Sequence, residues 1–258
     1  MKRNLKYLGI GLMSVFLLSS CLDDNDDKTY VSYGVIRNVS SADNYQILTD
    51  KGNTLMVTKS HTSQSVENDK RVLVNFEMLS DRDKNKNVYE VSVNGFYNLL
   101  SKPLVYESFI LQDEEARRDS IGNDPFNSVD AWFGGDYVNI DFKVFFLEHS
   151  SKVHMINLVY DDTRADADTI YLTLRHNAYG DVPGYDASMF YSGYGICSFK
   201  ISDLLPEGTE SKAVKLTWLQ NYYGSEPKEV SDSGTFGLGN KGDIARKDVG
   251  FETLNGVK

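Results

Sequence analysis

Tyr137-Val138-Asn139-Ile140-Asp141-Phe142-Lys143-Val144-Phe145-Phe146 alternates without a break. Val138, Ile140, Phe142, Val144 and Phe146 fall on one side, and Tyr137, Asn139, Asp141, Lys143 and Phe145 on the other. A repeat of two is that of a pleated strand with one buried face. The same repeat recurs downstream. His154 to Tyr160 is one run, and Ile170, Leu172 and Leu174 alternate against Tyr171, Thr173 and Arg175 in the next. Tyr194 to Ile201 follows, then Val214 to Leu219 with Val214, Leu216 and Trp218 on one face. Strands at this spacing, separated by turns and long loops, predict an antiparallel β-sandwich over residues 125–230. Trp132 enters this region just before Gly134-Gly135, and its size predicts a place in the sandwich core.

Upstream the strands are shorter. Tyr30 to Val39 comes first. Tyr45 to Thr49 and Thr54 to Thr58 flank Asp50-Lys51-Gly52-Asn53, whose Gly and Asn tolerate the positive φ of a hairpin turn. Val72, Val74, Phe76 and Met78 alternate against Arg71, Asn75 and Glu77, and Ser80 to Asn87 reads as a charged turn. Tyr89, Val91 and Val93 alternate against Glu90, Ser92 and Asn94. Five strands with one apolar face each predict a small β-barrel over residues 29–105. Gln112 to Ser120 is the best helical stretch, ended by Ile121-Gly122-Asn123-Asp124-Pro125, and makes 106–124 a linker with a short helix. Residues 231–258 read as a Gly-rich, loosely held tail. The fold class is therefore all-β.

The amino terminus sets the compartment. Lys2, Arg3 and Lys6 precede an apolar run from Tyr7 to Leu18, and small residues follow, which is the pattern of a secretory signal over 1–20. The apolar run is too short to span a bilayer comfortably. Leu18-Ser19-Ser20-Cys21 looks like a bacterial lipobox, so Cys21 is the candidate lipidation site. Residues 21–28 then form an acidic tether containing Asp23, Asp24, Asp26 and Asp27. An acidic run directly after a lipobox cysteine resembles the surface-export signal of Bacteroidetes lipoproteins, which implies display at the cell surface; the second reading is a plain solvated spacer on a periplasm-facing anchor. The chain of 258 residues carries a formal net charge of −10, and removing the signal leaves it more acidic still. Such a surface repels phosphate backbones and excludes nucleic acid as a partner. It is also poorly suited to electrostatic capture by anionic lipid, so membrane attachment rests on the lipid at Cys21.

Several features together resemble the NigD-like lipoproteins of Bacteroidetes. They are the lipoprotein start, the five-strand N-terminal piece, Asp130 to Ile140, and Leu174-Arg175-His176-Asn177-Ala178-Tyr179-Gly180-Asp181 followed by Ser198-Phe199. The resemblance implies an OB-like barrel followed by a β-sandwich. It implies no established activity. The family name derives from a bacteriocin locus, which offers an immunity-type role as one alternative.

Enzyme signatures are missing from the sequence. It contains no Gly-x-Ser-x-Gly, no Gly-x-x-x-x-Gly-Lys and no His-Glu-x-x-His. No cofactor and no catalytic residue is expected. A hydrolase site assembled from separated carboxylates such as Asp181 and Asp186 is the enzyme alternative. Glu148, His149 and His154 are close in sequence, but they cross an expected turn. His176 reads as a hydrogen-bonded structural histidine at a strand end. Asp161, Asp162, Asp166 and Asp168 offer oxygens to a calcium ion without the spacing or the glycine of an EF-hand loop. Cys197 shares a strand face with Phe199 and Ile201 and reads as a buried thiol. Tyr179, Tyr185, Tyr191, Tyr194, Tyr222 and Tyr223 lie among Gly, Asp, Ser and Pro, a composition that gives rigid contact surface or packs loops onto the sandwich. The expected function is a non-enzymatic binding or assembly module at the outer membrane, with an envelope protein or a glycan as partner.

Overall fold

The structure is a computed structural model that describes residues 29–83, 86–147, 151–164, 168–182, 190–221 and 226–237. The expected signal segment (1–20), Cys21, the expected tether and residues 238–258 lie outside the described residues.

The first five strands are β1 (Thr29–Ser41), β2 (Asn44–Thr49), β3 (Thr54–Ser60), β4 (Arg71–Asp83) and β5 (Val88–Asn98). They close into a barrel in the order β1-β2-β3-β5-β4. Only the β3–β5 seam is parallel. Alternation fills the interior: Ile36, Ile47, Leu55, Val57, Val72, Val74, Val91 and Val93 are among its buried residues. The hairpin forms at Asp50-Lys51-Gly52-Asn53, with Gly52 at φ 78. Part of the charged stretch expected as a turn belongs instead to β4, which continues to Asp83.

Two short strands leave the barrel, β6 (Leu100–Ser101) and β7 (Val105–Tyr106), followed by helices α1 (Glu107–Ile110) and α2 (Glu114–Ile121). Seven further strands follow among the described residues: β8 (Ser128–Gly134), β9 (Tyr137–Leu147), β10 (Met155–Tyr160), β11 (Thr169–Asn177), β12 (Phe190–Lys200), β13 (Ser211–Gln220) and β14 (Lys228–Gly237). They build two facing sheets, β14-β13-β11-β10-β7 and β6-β12-β9-β8. Phe126, Phe133, Val138, Ile140, Leu158, Leu172, Cys197, Phe199, Leu216, Trp218 and Phe236 lie between them.

Four expectations need correction. The sandwich is mixed rather than antiparallel: β11–β13, β7–β10 and β6–β12 are parallel pairs. The chain crosses to the opposite sheet for β12 before returning as β13, so β11 and β13 run in the same direction. Side-chain alternation identifies a strand but not its neighbour. β6 and β7, assigned to the barrel's share of the chain, each join a sandwich sheet. Residues 231–237, assigned to the expected tail, belong instead to β14, which runs to Gly237 and pairs with β13 along its whole length. Trp132 is buried, at 5 % exposure, but outside the sandwich core. Ala131 and Phe133 point into that core, so Trp132 points the other way, onto the barrel.

Candidate functional site

The barrel and the sandwich meet over a small apolar cluster of Tyr33, Leu73, Leu99, Trp132 and Ile196, with Tyr33 edge-on to Trp132. Beside it lies a polar network that the alternation pattern concealed. Arg71 opens β4 on what reads as a solvent face, yet it is 2 % exposed. Its guanidinium holds Asp50 through two bonds of 2.5 Å. It also donates to Asn139 Oδ1 at 2.8 Å and to Ser198 Oγ at 3.3 Å, and the Tyr137 ring lies 4.4 Å away. Ser198 donates to Asn139 at 2.6 Å, and Asn139 Nδ2 donates to Asp50 at 3.3 Å. Gly134 makes room for the Asp50 carboxylate, into which any Cβ there would run. A fully bonded buried ion pair of this kind gives little net energy but fixes one geometry, since removing a single partner strands a charge.

The remote end of the sandwich holds the second polar chain. His176, near the end of β11, lies 3.3 Å through Nδ1 from the Pro125 carbonyl. Its Nε2 lies 2.9 Å from His154 Nδ1, and His154 Nε2 lies 3.1 Å from Asp181 Oδ2. Asp181 Oδ1 accepts from the Leu147 amide at 2.9 Å. Burial, followed by the charge at His154, pushes His176 down to about 4. The Phe146 ring stands edge-on to His154, and Tyr191 stacks on Phe146 at 6.0 Å. Tyr191 is 51 % exposed. Tyr179, 47 % exposed, sits in the adjoining turn at φ 54, with its amide bonded to Asn177 Oδ1 and its carbonyl to Lys152 Nζ. The result is an aromatic surface fixed from beneath by a buried hydrogen-bonded chain.

The structure thus unites His154, His176 and Asp181, which are separated in sequence and were not grouped by it. Sequence offered no signal beyond polar residues at strand ends. Asp181 is buried with both carboxylate oxygens hydrogen-bonded, so it is not presented to a substrate. Glu148, His149, Asp166, Asp186, Tyr185, Tyr222 and Tyr223 lie outside the described residues. Asp161 accepts bonds from Thr163 and Arg164, while Asp162 accepts from Ser108 in the first turn of α1. Those carboxylates serve the loop and the helix. Among the described residues no group of three or more His, Cys, Asp or Glu is arranged to hold a metal ion. Cys197 is fully buried, and burial raises its thiol well above the usual range. Tyr194, also half exposed, lies with its ring 4.9 Å from Lys143 Nζ.

One further concavity, of about 510 Å³, opens between α2 and β11. Arg118, Asp119, Asp124 and Arg175 line it over Ile110 and Ile121. Arg118 is already paired with Glu107 and Glu114. The lining is mixed in sign and favours no single charge on a ligand.

Comparison with known families matches residues 33–99 to the NigD-like N-terminal OB domain and residues 108–231 to the NigD-like C-terminal beta sandwich domain. The chain belongs to the NigD-like family. Its barrel is the OB domain, with a loop rather than a helix between β3 and β4. Solved structures that share the fold include three from Bacteroides. A protein of unknown function (DUF1344) from Bacteroides vulgatus is 20 % identical with a TM-score of 0.64, covering 90 % of this chain and 100 % of that one. A NigD-like immunity protein from Bacteroides caccae is 18 % identical with a TM-score of 0.56, over 79 % of this chain and 91 % of that one. A candidate lipoprotein from Bacteroides fragilis is 9 % identical with a TM-score of 0.52, over 80 % and 97 %. No curated protein matches the sequence. Among the described residues no helix is long and apolar enough to cross a membrane.

Proposed function

We propose that this NigD-like protein is a lipid-anchored module of the bacterial cell envelope that binds a ligand without chemically changing it. Cys21 carries the lipid, and the remote end of the sandwich carries the ligand. The supporting observation is the Tyr191–Phe146 stack standing on the His176–His154–Asp181 chain, with Tyr179 exposed two residues before Asp181. Exposed tyrosines on a rigid base give amphipathic contact area at low entropic cost, and their faces stack on sugar rings or on apolar side chains. The histidines and the carboxylate that would serve a catalyst are spent on one another. Immunity-type sequestration of a secreted toxin is one form of such binding.

The test is co-purification from detergent-solubilised outer membrane, run alongside a glycan array. The full chain should retain an envelope protein or a glycan that Tyr191→Ala and Tyr179→Ala lose at unchanged melting temperature. Equal retention by the variants would remove the aromatic surface as the site. Metal-independent turnover of any retained glycan or peptide would refute a module that only binds.

A further inference from the structure

Four charged side chains line the concavity between α2 and β11, and they differ in what holds them. Arg118 donates to Glu114 at 2.8 Å and to Glu107 at 2.7 Å. Asp124 accepts from the Ala178 amide at 2.7 Å. The side chains of Arg175 and Asp119, by contrast, make neither a hydrogen bond nor an ion pair among the described residues. One positive and one negative group are therefore left unused at a single depression of about 510 Å³. Small-molecule sites commonly measure about 300–1,000 Å³.

Alternation along β11 places the arginine. Leu172 and Leu174 face the sandwich core, so Thr173 and Arg175 face outward, on the side where α2 packs. Arg175 is left half-buried there. Burial, then the charge on Arg118, lowers its guanidinium below the ordinary value, while Glu107 and Glu229 act the other way without touching it. Glu107 is already committed to Arg118, and Glu229 lies on β14, two strands from β11 in the sheet. Arginine keeps its proton in such a setting, so the charge persists. A charge partly withdrawn from water without a counter-charge is a cost that an incoming anion relieves. Its planar fork matches a carboxylate in two parallel bonds. Asp119, exposed in the last turn of α2, supplies the opposite charge. Ile110 and Ile121 give the same depression an apolar lining. The walls are fixed in advance, because Asn177 Nδ2 donates to the Asp119 and Ser120 carbonyls at 2.8 and 3.0 Å and ties α2 to β11. A preformed site loses less affinity to ordering.

We propose that this concavity binds a small zwitterion of the amino-acid or short-peptide class. The carboxylate pairs with Arg175, the ammonium with Asp119, and an apolar side chain lies against Ile110 and Ile121. A lining that favours no single charge suits a ligand that carries both. Neither Tyr179 nor Tyr191 belongs to the lining, and the site does not depend on a lipid at Cys21.

The experiment is isothermal titration of the full chain with L-leucine and with leucyl-leucine. Each is compared with its N-acetylated form, which lacks the ammonium, and its amide, which lacks the carboxylate. The amino acid and the dipeptide differ in the separation of their charges, so the tighter of the two identifies the source. At least one zwitterion should bind, and both of its blocked forms should bind about tenfold more weakly or worse. Arg175→Gln should erase the advantage over the amide, and Asp119→Asn the advantage over the N-acetylated form. If neither zwitterion binds at millimolar concentration, the inference fails. It fails equally if a blocked form binds as tightly as its parent, since the site then reads one charge only. Native affinity in a folded Arg175→Gln would place the ligand elsewhere and also overturn it. The ligand series alone decides the matter on the native chain should a variant not fold.

Discussion

His176 is the residue on which the remote end of the sandwich turns. It is held neutral because burial disfavours the charged imidazolium, and the charge at His154 adds to the effect. Its folded-state value of about 4 lies below the ordinary 6.5. The unfolded chain therefore binds more protons than the folded one between those values. Stability from this source is complete above about pH 6.5 and is lost as pH falls toward 4. A shift of that size corresponds to about 3 kcal/mol. His176→Phe, which keeps an aromatic ring against Phe126, should be less stable than the native chain at pH 7. The gap between the two should then narrow as pH falls through that window. Urea denaturation of both proteins across the window measures the gap directly. A constant gap would mean that His176 titrates normally in the folded protein.

At the scale of elements, the helix–strand contact around Gly122 shows how little freedom a cap can have. Gly122 ends α2 at φ 77 and ψ 175, a region open essentially to glycine. A Cβ there would lie 2.5 Å from that of Asn177, whose amide nitrogen caps the Asp119 and Ser120 carbonyls. Gly122→Ala should cost at least about 1–3 kcal/mol from the backbone alone. It should release α2 from β11, read as faster hydrogen exchange of α2 amides while the β13 amides remain protected. Uniform acceleration would show instead that α2 and the sheet open together. Much of this scale was legible beforehand. The strands with strict alternation and the helix at 112–120 declare themselves locally, because each buries one face. β6 and β7 are two residues each and exist only because sheet edges receive them, so no local pattern could mark them. Arg71, Asn139 and Ser198 occupy the polar phase of their strands, which has the same pattern whether it meets water or a second domain. The His154–His176 contact joins neighbouring strands, and alternation carries no information about which strands are neighbours.

At the scale of the whole molecule, the two domains are held by an apolar cluster and a buried ion pair side by side. Trp132 is the largest member of that cluster, and its ring meets Tyr33 of the barrel at 5.4 Å. Because it faces outward from the sandwich, its truncation should spare the core formed by Phe133, Val138 and Phe199 and weaken the junction instead. The native chain should unfold in one transition. In Trp132→Ala, barrel and sandwich should part company, with a loss of about 3–5 kcal/mol typical of a large aromatic removed from a packed site. The substitution supplies its own probe. Trp218 is then the sole tryptophan, and it is buried within the sandwich. Its fluorescence reports that domain alone, while far-UV circular dichroism reports both. Separate midpoints for the two signals are expected in the variant and coincident ones in the native chain. Coincident midpoints in both would assign the coupling to Arg71, Asp50, Asn139 and Ser198. The same pair of measurements on Asp50→Ala would then be expected to split, since that change leaves the Arg71 guanidinium buried without its carboxylate.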